Sequence, residues 1–210
     1  MEGTSKISLK SEVFRKSIHL ISLFIPVLYY FLFSKAQAVL FLFLASAGMI
    51  LLDYMKRDLK GIGKLYNKIL GGLLRNDERN FKEKVITGGT LFVIGIFLAV
   101  VLFQKNVAIS AVTILIVCDS ASALVGKSIG RHKLIGEKTY EGTAAFLIAG
   151  IVLIFLILPM TFNVHGEIYI AIVSLIIAAI IEVMPWKLDD NILVPLAYGV
   201  TYTVLAGLFH

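Results

Sequence analysis

Runs of 16 to 20 apolar residues recur along this chain, each long enough to cross the ~30 Å hydrocarbon core of a bilayer as one helix. Seven such spans are expected, at roughly 17–34, 37–55, 85–103, 107–126, 142–160, 168–184 and 192–209. With 58% hydrophobic residues and a mean hydropathy of +0.88, the 210-residue chain is far more apolar than a soluble domain. The expected fold is therefore all-α: a polytopic integral membrane helical bundle of about seven transmembrane helices. It forms one transmembrane domain over residues 1–210. The start, MEGTSKISLKSEVFRKSIHL, has no compact apolar core or small-residue cleavage site and does not read as a removable signal peptide. The single Cys118 allows no intrachain disulfide and suggests no zinc site.

The charges orient these spans. If the N-terminus is cytoplasmic, residues 1–16 and the loops 56–84, 127–141 and 185–191 lie inside, and the C-terminus lies on the opposite side. That arrangement puts 18 of the 20 Lys and Arg on the cytoplasmic face, leaving only Lys35 and Lys105 outside. Of the 14 acids, 13 fall at or near the same face, an asymmetry that topology does not require. Nearly all the ionisable chemistry thus meets the cytoplasm. The net charge of +6 has this topological explanation and is not read as nucleic-acid binding, since no aromatic-basic interleaving accompanies it.

Four groups of polar residues stand out against the apolar background. Asp119 lies about two turns before the cytoplasmic end of span four. A carboxylate there costs several kcal/mol unless paired or solvated, so it marks either a functional site or an interhelical salt bridge. The small residues after it, Ser120 to Ala123 and Gly126, favour close helix approach. The loop GKSIGRHKLIGEKTYEG then brings Lys127, Arg131, His132, Lys133 and Lys138 together with four glycines. Cations and backbone N–H groups of this kind suit phosphate oxygens, although an ordinary basic cytoplasmic loop has the same composition. It is not a P-loop, because five residues separate Gly130 from Gly136 and Glu137 intervenes before Lys138. In SEVFRKSIHL, a helix capped at Ser11 places Glu12, Arg15, Lys16 and His19 on one face. Finally, IEVMPWKLDDNILVPL puts Glu182 inside the end of span six, with Asp189, Asp190 and Asn191 in the turn before span seven. Oxygen-rich clusters of this type hold Mg²⁺ with nucleotide phosphates, though a polar turn capping the next helix accounts for part of it.

Carboxylates, a basic glycine loop and a histidine-bearing helix at one membrane face fit phosphoryl transfer, in which the protein mainly positions groups and neutralises charge. At these residues the sequence resembles the CTP-dependent polyprenol kinases, a family that includes dolichol, phytol and farnesol kinases and the CTP-dependent diacylglycerol kinase of yeast. It is more distantly similar to phosphatidate cytidylyltransferases. The resemblance rests on EVFRKSIHL, on DSASALVGKSIGRHKL with EKTYEGTAAF, and on IEVMPWKLDDNILVPL, and it spans nearly the whole chain. It implies transfer of the CTP γ-phosphate to a membrane lipid alcohol, with Mg²⁺ as cofactor. It maps the first motif to Glu12, Arg15, Lys16 and His19. The second falls on Asp119, Gly126, Arg131, Lys138, Thr139, Glu141 and Gly142, and the third on Glu182, Asp190, Asn191 and Pro195.

The expected catalytic residues are accordingly Asp119, His19 and Glu141. Phosphate contacts are expected from Lys127, Arg131, Lys133, Lys138, Thr139, Arg15 and Lys16, and metal ligation from Asp119, Glu182, Asp190 and Asn191. Asp119 is open to either role, metal ligand or base for the lipid hydroxyl. Cys118 departs from the pattern, since relatives often carry Gly before the central Asp. A cytidylyltransferase acting on phosphatidate or a lipid phosphate is the alternative. A secondary transporter fits less well, because its charges would lie near the midplane on repeated halves.

Overall fold

The computed structural model describes residues 9–71, 74, 85–161 and 167–209. The N-terminus, much of the 56–84 loop and His210, on which the expected topology partly rests, lie outside the described residues. Within them the chain is helical throughout: α1 (Leu9–Ile21), α2 (Phe24–Phe31), α3 (Lys35–Asp58), α4 (Lys60–Leu70), α5 (Gly88–Leu102), α6 (Lys105–Ser128), α7 (Tyr140–Thr161), α8 (Glu167–Val183) and α9 (Asp190–Phe209). Helices α3, α6, α7 and α9 are long and apolar enough to cross a membrane, and α5 is a shorter apolar helix. The chain is thus a polytopic membrane helical bundle.

Two differences from the expected spans have local causes. The first span is broken in two. Pro26 lacks an N–H for the Ser22 carbonyl, and its ring crowds that group. The chain answers with tighter turns, Leu23 N–H to Leu20 O at 3.1 Å and Ile25 N–H to Ser22 O at 2.9 Å. Ser11 is a residue of the first turn of α1 rather than its cap. The expected loop 56–84 begins instead with the end of α3 and with α4. In α4, Lys64 and Lys68 fall on one side while Ile62 and Tyr66 fall on the other.

Helix α6 is the centre of the bundle. Of its apolar stretch 78% is buried, against 22% in α3 and in α7, which therefore present most of their surface to lipid. Glycines set the closest approaches. A Cβ on Gly142 would crowd the Ser122 carbonyl at 2.9 Å, which fixes the α6–α7 crossing near the ends that carry the ionisable groups. In α9, Pro195 leaves the Asn191 carbonyl without its helical donor. That oxygen lies against Gly95 of α5, where any Cβ would overlap it. Gly95→Ala is therefore expected to push the first turn of α9 away and destabilise the protein by about 1–3 kcal/mol. Thermal unfolding in detergent would measure this, and an unchanged midpoint would contradict the contact.

A buried network joins α3 to α5. The carboxylate of Asp53 accepts from Thr87 N–H at 2.9 Å, from Thr90 Oγ1 at 2.6 Å and from Lys56 Nζ at 2.6 Å. Lys56 also lies 4.7 Å from the centre of the Tyr66 ring of α4. Asp53 thereby satisfies the backbone N–H of Thr87, the residue that precedes α5, and holds the Thr90 hydroxyl in its first turn. At the other end of the bundle two lysines begin helices. Lys35 Nζ donates to Phe103 O at 2.8 Å, and Lys105 Nζ donates to Phe33 O at 2.9 Å.

Candidate active site

Helices α1 and α6 run antiparallel and are joined by two ion pairs. Glu12, in the first turn of α1, pairs with Lys127 in the last turn of α6, and each charge complements the dipole of its own helix. Arg15 pairs with Glu12 from one turn on. Lys16 pairs with Asp119, and both side chains are nearly sealed, 4% and 10% exposed. Removing either partner of so buried a pair would strand the other. His19 completes the face and stacks on Phe92 of α5, with ring centres 4.3 Å apart. The spacing Glu12, Arg15, Lys16, His19 therefore does present one side of α1, and that side meets α5 and α6.

The basic glycine loop is a compact turn. Tyr140 N–H donates to His132 O, Leu134 N–H to Lys138 O and Lys138 N–H to Ile135 O, all at 2.9–3.0 Å. Gly136 takes the left-handed conformation, φ +58°, that closes it. Glu141 ties the turn down, its carboxylate 2.7 Å from His132 Nδ1. Thr139 is buried, and its hydroxyl accepts from Gly142 N–H at 3.1 Å as the cap of α7. The fold sorts the cations of this loop. Arg131 and Lys133 point outward and are exposed, whereas Lys138 turns inward.

Lys138 Nζ lies 2.5 Å from Glu182 Oε1 and 2.9 Å from Asp190 Oδ2, bridging the end of α8 to the start of α9. Burial works against its charged form, but Glu182 and Asp190 outweigh that and hold it well above the usual lysine range. Asp119 lies within electrostatic reach of both Lys138 and His19. Glu182 sits at the wrong end of its helix for a carboxylate, where the macrodipole is negative, so it depends on Lys138 and on the Ser122 hydroxyl, 3.1 Å away. Asp189 caps α9, accepting from Asn191 N–H at 3.0 Å. The Asn191 side-chain amide donates to Asp189 Oδ1 at 2.6 Å and to Gly88 O of α5 at 3.4 Å.

The sequence motifs thus meet at one end of the bundle. Asp119, Lys16 and His19 form one cluster, and Lys138, Glu182 and Asp190 form a second within electrostatic reach of Asp119. Arg15 and Lys127 converge on Glu12. Arg131 and Lys133 belong to the exposed turn, Glu141 holds that turn from the start of α7, and Thr139 and Asn191 are held in caps. Glu12 and Ser122 also carry the site; Glu12 was marked by its place on the α1 face and by the family resemblance, and nothing marked Ser122 beyond its small size.

Among the described residues no three His, Cys, Asp or Glu side chains form a ready metal cage. Two carboxylates do share a single cation position, held here by the Lys138 ammonium, and Glu182 Oε2 is buried without a hydrogen-bond partner. Mg²⁺ takes one or two protein carboxylates and completes its shell with phosphate oxygens and water. The donor chemistry of Glu182 and Asp190 fits that ion.

The chain matches no family model and no solved structure. Two curated proteins resemble it over nearly its full length. It is 28% identical over 192 residues to an uncharacterized protein of Rickettsia prowazekii, covering 90% of this chain and 92% of the relative. It is 25% identical over 204 residues to the CTP-dependent diacylglycerol kinase 1 of Schizosaccharomyces pombe, covering 91% of this chain and 92% of the relative. The second similarity is a distant relationship to a CTP-dependent kinase.

Proposed function

We propose that this chain is a membrane lipid kinase that transfers the γ-phosphate of CTP to the hydroxyl of a membrane-embedded alcohol, an isoprenoid alcohol or a diacylglycerol. One observation carries the reading. Carboxylates and cations of the kind phosphoryl transfer needs converge at one end of a bundle of membrane helices. The full-length similarity to a CTP-dependent diacylglycerol kinase supports the donor and the class of acceptor. The charge asymmetry supports a cytoplasmic site, where CTP is met.

In this reading the ion pairs are resting contacts. A triphosphate competes for the ammonium groups of Lys16 and Lys138 and for the exposed Arg131 and Lys133. Transfer of Lys16 to phosphate leaves Asp119 free to accept a proton. The lipid hydroxyl oxygen forms a bond to the γ-phosphorus, the bond to the bridging oxygen breaks, and CDP leaves. The hydroxyl proton passes to Asp119, with His19 beside it to orient the alcohol. Glu182 and Asp190 would hold Mg²⁺, which when bound neutralises phosphate charge. Glu141 acts on the shape of the loop through His132.

Purified protein in lipid nanodiscs, given CTP labelled at the α or at the γ position and a panel of lipid alcohols, tests the assignment. Label from the γ position alone is expected in the lipid. Label from the α position would show cytidylyl transfer instead. Arg131→Ala, an exposed change, is expected to leave the unfolding midpoint unaltered and to raise the apparent KM for CTP about tenfold, equivalent to ~1.4 kcal/mol. A change confined to the KM of the alcohol would remove the loop from the nucleotide site.

A further inference from the structure

An apolar cavity of about 240 Å³ lies between α2, α3, α5 and α6, with almost no polar atom on its walls. Two helices lead from the ionisable cluster straight into it. On α6, Val112 and Ala108 line the cavity, and they lie seven and eleven residues before Asp119, on the same helical face. On α5, Ile96 and Val100 line it, four and eight residues after Phe92, the ring on which His19 stacks. The cavity therefore starts about 6 Å below Phe92 and extends to about 16 Å below Asp119, at 1.5 Å of helix per residue. Its outer wall is Phe41 and Ala45 of α3, both exposed on the outer surface of the bundle, so it opens sideways. Small side chains, Ala38, Ala45 and Ala108, give it its depth.

We propose that this groove holds one hydrocarbon chain of the acceptor lipid, with the hydroxyl placed at Asp119 and His19. The inference rests on the kinase reading for the identity of the headgroup, but not for the presence of a chain. A chain leaving the bilayer for this groove exchanges one hydrocarbon environment for another, so little affinity is gained. What the groove supplies is position, aligning the hydroxyl with the cluster above it. It takes a single chain, so a second chain of a diacylglycerol stays in the bilayer.

Ala45→Phe fills the groove from its exposed side, where the fold tolerates a larger residue. With farnesol and with dioleoylglycerol as acceptors, it is expected to lower kcat/KM at least tenfold while CTP binding changes less than twofold. In parallel, a farnesol analogue carrying a diazirine near its tail is photocrosslinked to the wild-type protein. Adducts are expected on the groove-lining parts of α2, α3 or α6, and Ala45→Phe should remove them. Unchanged turnover, or adducts only on outer surfaces of α7 and α9, would overturn the groove. If the wild type phosphorylates neither alcohol yet the adducts map to the groove, the kinase reading fails and the chain site stands.

Discussion

Asp119→Asn is expected to lower turnover at least a hundredfold, about 2.8 kcal/mol of transition-state stabilisation. The same change strands Lys16, whose side chain is 4% exposed, and an unpartnered buried charge costs about 3–5 kcal/mol of stability. Activity alone therefore does not separate a catalytic Asp119 from one that only fixes α1 against α6. The double variant Lys16→Met/Asp119→Asn does. It replaces a buried pair by neutral groups of similar size, a change that is often neutral for stability. Its unfolding midpoint should return close to that of the wild type while turnover stays lost. A double variant both stable and active would show that the pair only fixes packing.

Lys138→Met should produce the second large effect. It leaves Glu182 and Asp190 facing one another without their shared cation, and Asp119 within reach of both. Lys138 is about a third exposed, so the stability loss should be smaller than at Lys16, about 1–3 kcal/mol. The apparent KM for CTP should rise at least tenfold. Because the two carboxylates then lack a counter-charge, Mg²⁺ titration should raise the melting temperature of Lys138→Met more than that of the wild type. Equal shifts would argue against Glu182 and Asp190 as its ligands.

The apolar runs made the helical membrane architecture readable, because length and hydropathy are summed properties of a segment. Breaks inside a run are not. The span through residues 17–34 looks continuous by hydropathy, and only the missing N–H of Pro26 divides α1 from α2. Helix α4 was hidden in a charged segment, although the spacing of Lys60, Lys64 and Lys68 was its signal. At the site, the face of α1 was legible because it depends on spacing within one helix. Which partner each residue takes was not. Lys16 meets Asp119 across 103 positions, and Lys138 meets Asp190 across 52. Nothing local distinguishes the inward Lys138 from the outward Lys133. The closed turn and the cap at Thr139 decide that, and both are products of the folded loop.

The two lysines that begin α3 and α6 give the bundle a mechanical polarity. Each ammonium stands at the positive end of its own helix and is offset by a carbonyl at the end of another. The links α2–α3 and α5–α6 are thereby latched to one another, and parting them means undoing two charge-assisted bonds together. At the opposite end the helices are joined largely by ion pairs, contacts that an anion or a cation exchanges rather than breaks. On the proposed kinase reading, the latched end would be the fulcrum and the charged end the jaw. Amide hydrogen exchange should accordingly be slow around Phe33 and Phe103 whether or not nucleotide is present, and should respond to CTP at α1 and the start of α9.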